Sequence, residues 1–346
     1  MKKYNFYAIF SLTLFFSVFS LFAEDGHGHD DHAEGKKSSE FSAKDLIMHH
    51  IGDSHEWHIA DIDGHPVSIP LPVILYTEGN FDVFLSSEFQ HGTAIVEKGD
   101  RKYSIHHEHI EEASGKSVVD LSVTKNVASM MLGAAIIILI FTSVAGSYRN
   151  REGQAPKGLQ SFMEPLILFI RDDIAIPNIG EKKYKIYLPY LLTLFFFIWI
   201  NNLLGLIPTG ANASGNIAFT MTLALFTLII TNISGNKDYW MHILWTPGVP
   251  LPLRVIMLPV EIIGIFTKPF ALMVRLLANI TAGHIIILSL LSFIFIFKSV
   301  AVGIPVTAFV IVMNFLELFV AALQSYIFTL LTALFIGLAV AEHDHH

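Results

Sequence analysis

No cysteine occurs among the 346 residues of this chain. That excludes a disulfide framework, a zinc–thiolate site and a cysteine nucleophile. A glycine-rich loop of the Walker type is also missing, so the chain offers no such cradle to a nucleotide's phosphates. Its two halves show no internal repeat, the signature that many secondary transporters carry. What it has in abundance is apolar surface. Hydrophobic residues make up 53% of the sequence and the mean hydropathy is +0.54, which places it among membrane proteins.

The few charges are unevenly spread. Residues 24–118 hold 19 acidic and 7 basic residues and 12 of the 17 histidines, whereas residues 119–346 hold 11 acidic and 13 basic residues. Two bodies follow: an acidic, histidine-rich soluble region over 24–118 and a membrane region over 119–346. The acidity of the first argues against nucleic acid as a partner.

Residues 1–23 read as a secretory signal, with Lys2 and Lys3 ahead of an apolar run and Ala23 before an acidic stretch. Leu21 departs from the small residue usual at the third position back, so an uncleaved anchor is the alternative. Residues 24–40 are polar and of low complexity. His27, His29, Asp30, Asp31 and His32 are metal-ligand types, but with no cysteine and no ordered frame they read as a solvated tail, and no metal site is assigned. Between residues 45 and 109, short, partly alternating apolar segments punctuated by Gly64-His65-Pro66, Gly79-Asn80 and Gly99-Asp100 predict a small, mainly β domain of about four strands. His106, His107 and His109 are read as residues of a surface strand.

Residues 126–146 are long enough to span a bilayer. Arg149, Arg151 and Lys157 follow at once and put that end in the cytoplasm. Residues 160–176 mix apolar positions with Glu164, Arg171, Asp172 and Asp173 and read as an amphipathic helix lying along the cytoplasmic face, not a span. Spans over 186–207 and 217–233 flank a turn at 208–215, and residues 234–255 read as an interface-anchored loop. Residues 256–297 are then apolar for 42 positions, too long for an upright span of ~20 residues and without an evident turn, which predicts one long, tilted helix. An outer turn at 298–305 leads to a second long apolar run, 306–341. Five spans result, with the N-terminus outside and the C-terminus inside.

Arg275 stands in the middle of the long run, where a charge costs at least ~2.5–3.5 kcal/mol on insertion scales. At 100° per residue, Ala271, Ala278, Asn279 and Ala282 fall within about 60° of it, so the guanidinium sits on a face of small residues that another helix can approach closely. Asn314, Glu317, Ala321 and Gln324 share one face of the last span. His284, nine residues from Arg275, points to the opposite side of its helix. A histidine and a carboxylate in a membrane are natural proton relays, whereas an arginine is a fixed positive charge. Lys268 and Glu261 read as snorkelling or paired residues.

Residues 267–284 (TKPFALMVRLLANITAGH), followed by Glu317 and Gln324, closely resemble the subunit a family of the F-type ATP synthase membrane sector, over roughly residues 121–341. The resemblance implies that Arg275 is the family's essential arginine, facing the carboxylates of a rotating c-ring, and that Asn279 and Gln324 are the polar residues beside it. It also implies that Asn202 lies near the outer half-channel. His284 and Glu317 fall where some members carry the acid first and the histidine second, so the pair is kept with its sides exchanged. Gly205 stands where some members have an acid. The acidic extension lies outside the shared pattern.

The expectation is therefore an all-α integral membrane protein of five transmembrane helices, two of them long and tilted, with a small, mainly β extracytoplasmic domain. The implied function is a proton-translocating stator subunit of the bacterial inner membrane, multi-pass, with a periplasmic N-terminal domain and a cytoplasmic C-terminus. Its implied partners are the c-ring, b-type peripheral-stalk subunits and membrane lipid. No catalytic site and no cofactor are expected, ATP chemistry belonging to other subunits. Two rivals stand against this: a secondary ion or metal transporter, which needs a binding site within one chain, and a non-transporting scaffold or sensor, which does not need Arg275.

Overall fold

The computed structural model describes residues 52–341, apart from 63–64, 91, 107–108, 152, 208–209 and 246–249. The signal segment, the cluster at 27–32, His107 and the tail at 342–346 lie outside the described residues.

Three small sheets precede the helices. Strands β1 (Glu56–Ile62) and β2 (His65–Pro70) form a hairpin. Strand β3 (Pro72–Thr77) pairs antiparallel with β4 (Asn80–Leu85) across the two-residue turn Glu78-Gly79, both in the left-handed region at φ 49° and 86°, as tight hairpins require. The third sheet is β5 (Val96–Lys98), β6 (Arg101–His106) and β7 (His109–Glu112), and β8 (Val119–Asp120) returns to the free edge of β3. Alternation along β3 buries Val73, Leu75 and Thr77, and a core forms with Phe84, Phe89, Val96, Tyr103 and Ile110. The Tyr103 hydroxyl donates to Asp82 at 2.7 Å, and Arg101 pairs with the same carboxylate at 3.1 Å. Among the described residues eight strands stand, six of them (β1 to β6) within 45–109, where about four were expected. β5, β7 and β8, of three, four and two residues, are too short and too charged to show a period of two.

The helices are α1 (Lys125–Asn150), α2 (Leu159–Phe169), α3 (Ile176–Ile179), α4 (Tyr184–Gly205), α5 (Ile217–Ser234), α6 (Lys237–Leu244), α7 (Leu251–Phe297) and α8 (Val300–Val340). Among the described residues five are long and apolar enough to cross a membrane: α1, α4, α5, α7 and α8. The wide π turn Ile170–Ala175 joins α2 to α3 and buries Ile170, Ile174 and Ala175. α4 is the hub. Its Leu191, Leu194, Phe196, Phe197 and Ile198 are buried among α1, the π turn and α8, with Phe141 of α1 edge-on to Phe196 at 5.2 Å.

α7 has 47 residues and runs unbroken through Pro259 and Pro269. At 1.5 Å per residue it is ~70 Å long, more than twice a hydrocarbon core of ~30 Å, so it has to run obliquely. α8, with 41 residues, packs along it. Two expectations change here. The loop expected over 234–255 contains α6, started by Asn236, whose side chain accepts from the Tyr239 N–H. The turn expected over 298–305 shrinks to Lys298-Ser299, and α8 begins at Val300 and runs through Pro305, as α7 runs through Pro259 and Pro269.

Candidate functional site

The two sides of α7 differ in chemistry. Ala271, Arg275, Ala278, Asn279 and Ala282 are all exposed, while Leu272, Met273, Leu276 and Ile280 are buried against the bundle. Packing the large side chains inward leaves the small ones, and the guanidinium among them, on the outside. The Arg275 guanidinium has no hydrogen bond or ion pair among the described residues. Lys268, two turns earlier, lies over the Phe335 ring at 5.9 Å, a packing contact with α8.

His284 lies half a revolution away from Arg275, as its spacing predicts, and is mostly buried. Its Nδ1 is 3.4 Å from Oε1 of Glu317 on α8. Glu317 is 3% exposed. Gly283 makes room for this carboxyl: a Cβ there would lie 3.1 Å from Glu317 Oε1. One turn along α8, the carbonyl of Ala321 accepts from Asn202 Nδ2 at 3.2 Å, and the Ser214 hydroxyl donates to Asn202 Oδ1 at 2.5 Å. Asn202 sits at the end of α4, and Ser214 lies in the short turn Ala213–Gly215 before α5. Gln324, two turns from Glu317 on the same face, is also buried.

Asn202, His284 and Glu317 therefore come together inside the bundle, with Gln324 on the same side. Arg275 and Asn279 face out, and no hydrogen bond among the described residues joins them to that cluster. On α8 it is Glu317 that meets the histidine side of α7. The sequence assigns no role to Ser214 or to Gly283, although Gly283 stands beside His284 in the stretch that carries the family resemblance. Ser214 sits in a stretch whose composition reads only as a turn. In chemical terms, a titratable imidazole–carboxyl pair lies inside the chain, and a permanent cation is offered on its outer surface.

A family model described as ATP synthase A chain matches residues 127–337. The chain belongs to that family. It is 50% identical over 249 residues to ATP synthase subunit a 2 of Chlorobaculum tepidum, covering 70% of this chain and 69% of the relative. Against ATP synthase subunit a of Chlorobium phaeobacteroides the identity is 43% over 330 residues, 93% of this chain and 83% of the relative. That second match extends into the β region, where residues 46–130 fit another family model, described as a domain of unknown function. The protein is thus a multi-pass membrane subunit of an ATP synthase, without a catalytic site of its own.

Proposed function

We propose that the chain is the proton-conducting stator of the synthase, supplying two half-channels to a rotating ring of carboxylate-bearing subunits. The observation that carries the reading is the two-sidedness of α7: an exposed Arg275 on a stripe of small residues, and His284 on the opposite side, 3.4 Å from a buried Glu317. A proton enters from the periplasmic side, taken as the end that carries the β domain, and passes Asn202, His284 and Glu317. It then neutralises a ring carboxylate, which can turn into lipid. After nearly a full rotation the carboxyl meets a second half-channel, open to the cytoplasm.

There the fixed charge of Arg275 favours loss of the proton, since a nearby cation lowers a carboxyl's pKa. The same charge keeps the two half-channels apart, and Asn279 and Gln324 hold polar positions beside this exchange. A membrane potential supplies roughly 2.3 kcal/mol per charge per 100 mV, so several protons must combine for each ATP. A stator also has to resist torque, which calls for b-type stalk subunits.

The deciding experiment replaces Arg275 with alanine and follows ATP-driven proton pumping in inverted membrane vesicles. Loss of pumping to background, with the complex still assembled, is the expected result. Normal coupled pumping would remove Arg275 from the mechanism and the proposal with it.

A further inference from the structure

Asp53 lies three residues before β1, yet its carboxylate reaches the end of the helical bundle. Oδ1 accepts from the Asn126 N–H at 3.0 Å. Oδ2 accepts from the Thr124 hydroxyl at 3.0 Å and from the Asn216 amide at 3.4 Å. Asn216 closes the turn whose Ser214 donates to Asn202, and Asn202 in turn donates to the Ala321 carbonyl, one turn from Glu317. Polar groups therefore follow one another from Asp53 through Asn216, Ser214 and Asn202 to within a turn of Glu317.

A second observation lies beside this track. Asn126, Ser129 and Gly133 share the buried face of α1, and a Cβ on Gly133 would lie 2.8 Å from Asn201 Nδ2. Ser129 Oγ, Asn201 Oδ1 and Asn212 Nδ2 are buried without a hydrogen-bond partner among the described residues. Buried polar atoms almost always find partners, and small amides and hydroxyls in a polar passage find them in water.

Capping of α1 accounts for only part of Asp53. Thr124 already accepts from the Val127 N–H, and asparagine caps about as well as aspartate. Burial pushes the Asp53 carboxyl above its ordinary range, against the bonds from Asn126 and Thr124 and the charge of Lys125. A neutral asparagine would meet the same N–H without that desolvation cost. Of the groups around it, Lys125 of α1 is charged, while Thr124, Asn126 and Asn216 are neutral. His55, two residues on, is bonded to Asp120 of β8 at 2.7 Å.

We propose that Asp53 is the carboxylate through which protons enter the path, so that the β domain contributes a residue to the outer half-channel. The inference rests on the half-channel reading above. Asp53 takes a proton from solvent, gives it as the neutral acid to water beside Asn216 and Ser129, and returns to the carboxylate.

The test is passive proton conduction through the assembled membrane sector, freed of its catalytic part. The vesicles present the β-domain face outward, and a potassium diffusion potential drives the flow. Rates are normalised to assembled complex. Asp53→Asn is expected to conduct severalfold more slowly than the parent at alkaline pH, where free protons are scarce. The deficit should narrow at acidic pH, imidazole buffer added on that face should restore the rate, and Asp53→Glu should retain it. Parental conduction by Asp53→Asn at alkaline pH, with Glu317→Gln blocked, would overturn the role of Asp53 and leave the half-channel standing. A deficit independent of pH and untouched by buffer would mark a structural residue and overturn it equally. Free conduction by Glu317→Gln would remove the half-channel itself, and Asp53 with it.

Discussion

Glu317 is buried on α8, and its Oε1 lies 3.4 Å from Nδ1 of His284 on α7. Glutamine in place of Glu317 keeps the size and the hydrogen bonding but cannot titrate. Glu317→Gln is therefore expected to slow passive proton flux about 10²-fold, the lower range for loss of a positioned acid–base group. Tyr326→Phe, on the opposite side of α8 with its ring against Phe169 at 5.7 Å, should leave the flux unchanged; equal small effects would sink the relay. Outside the membrane, burial raises the Asp120 carboxyl, but the bonds from His55 and Ser122 outweigh it and hold the group below its usual range. Its stabilising share is thus fully present above the ordinary carboxylate value of ~3.9 and is lost as pH falls through the lower folded value. Asp120→Asn should weaken the β3–β8 pairing at neutral pH by about 1.5–3 kcal/mol, seen as faster amide exchange in β3, and the difference should vanish in strong acid. At this scale the stripe around Arg275 was legible, because one helix's period fixes which of its residues share a face. The pairing of His284 with Glu317 was not, since spacing within α7 says nothing about which side α8 presents. Only the exchanged positions in the family resemblance pointed to it. Asp53 gave no signal at all: its partners are 71 to 163 residues away.

Helices as long as α7 and α8 need fixed ends and close contacts to hold one register. The last carbonyls of α8, which a helix leaves unpaired, are taken up by neighbours. Lys183 Nζ donates to Val340 O at 2.9 Å, and the Asn236 N–H donates to Ala339 O at 3.0 Å. Just before them, Gly337 passes α3 so closely that a Cβ would lie 1.9 Å from the Asn178 carbonyl oxygen. That neighbour is backbone and cannot swing aside. Gly337→Ala is expected to cost at least ~1–3 kcal/mol and to lower the amount of chain recovered in the membrane sector and its melting temperature in detergent. Gly264→Ala on α7, where a Cβ meets nothing within 4 Å, should be neutral or stabilise by up to ~1 kcal/mol. Element boundaries were legible where apolar runs end in charge, as at Arg149 in the last turn of α1. They were hidden where the governing contact is distant or the segment is short: α6 has eight residues, and the start of α8 at Val300 overrides Gly303 and Pro305, which read as breakers.

Taken whole, the chain covers its helices unequally. In the most apolar stretch of α4, 61% of the residues are buried by the rest of the chain, against 11% for α7 and 17% for α8. Lipid alone could cover an apolar face, but it would not favour an unpaired guanidinium in mid-span. The small residues around Arg275 suit a close-packed helix instead. Two bodies were expected from the uneven charge, and the sequence could not show that a single aspartate of the acidic body reaches into the polar end of the other. The absence of cysteine makes the uncovered face directly testable, because every thiol in the chain would be an introduced one. A cysteine at Ala278, which is exposed, should form a disulfide under copper oxidation with a cysteine placed next to the carboxylate on a ring subunit. A cysteine at Ala333, which is fully buried within the chain, should form none in the same membranes. Equal yields from the two positions would mean that the small-residue face of α7 is not the surface the ring turns against. A high yield at Ala278 that disappears when the ring's cysteine is moved two turns along the same helix would fix both the face and the depth at which Arg275 meets its partner.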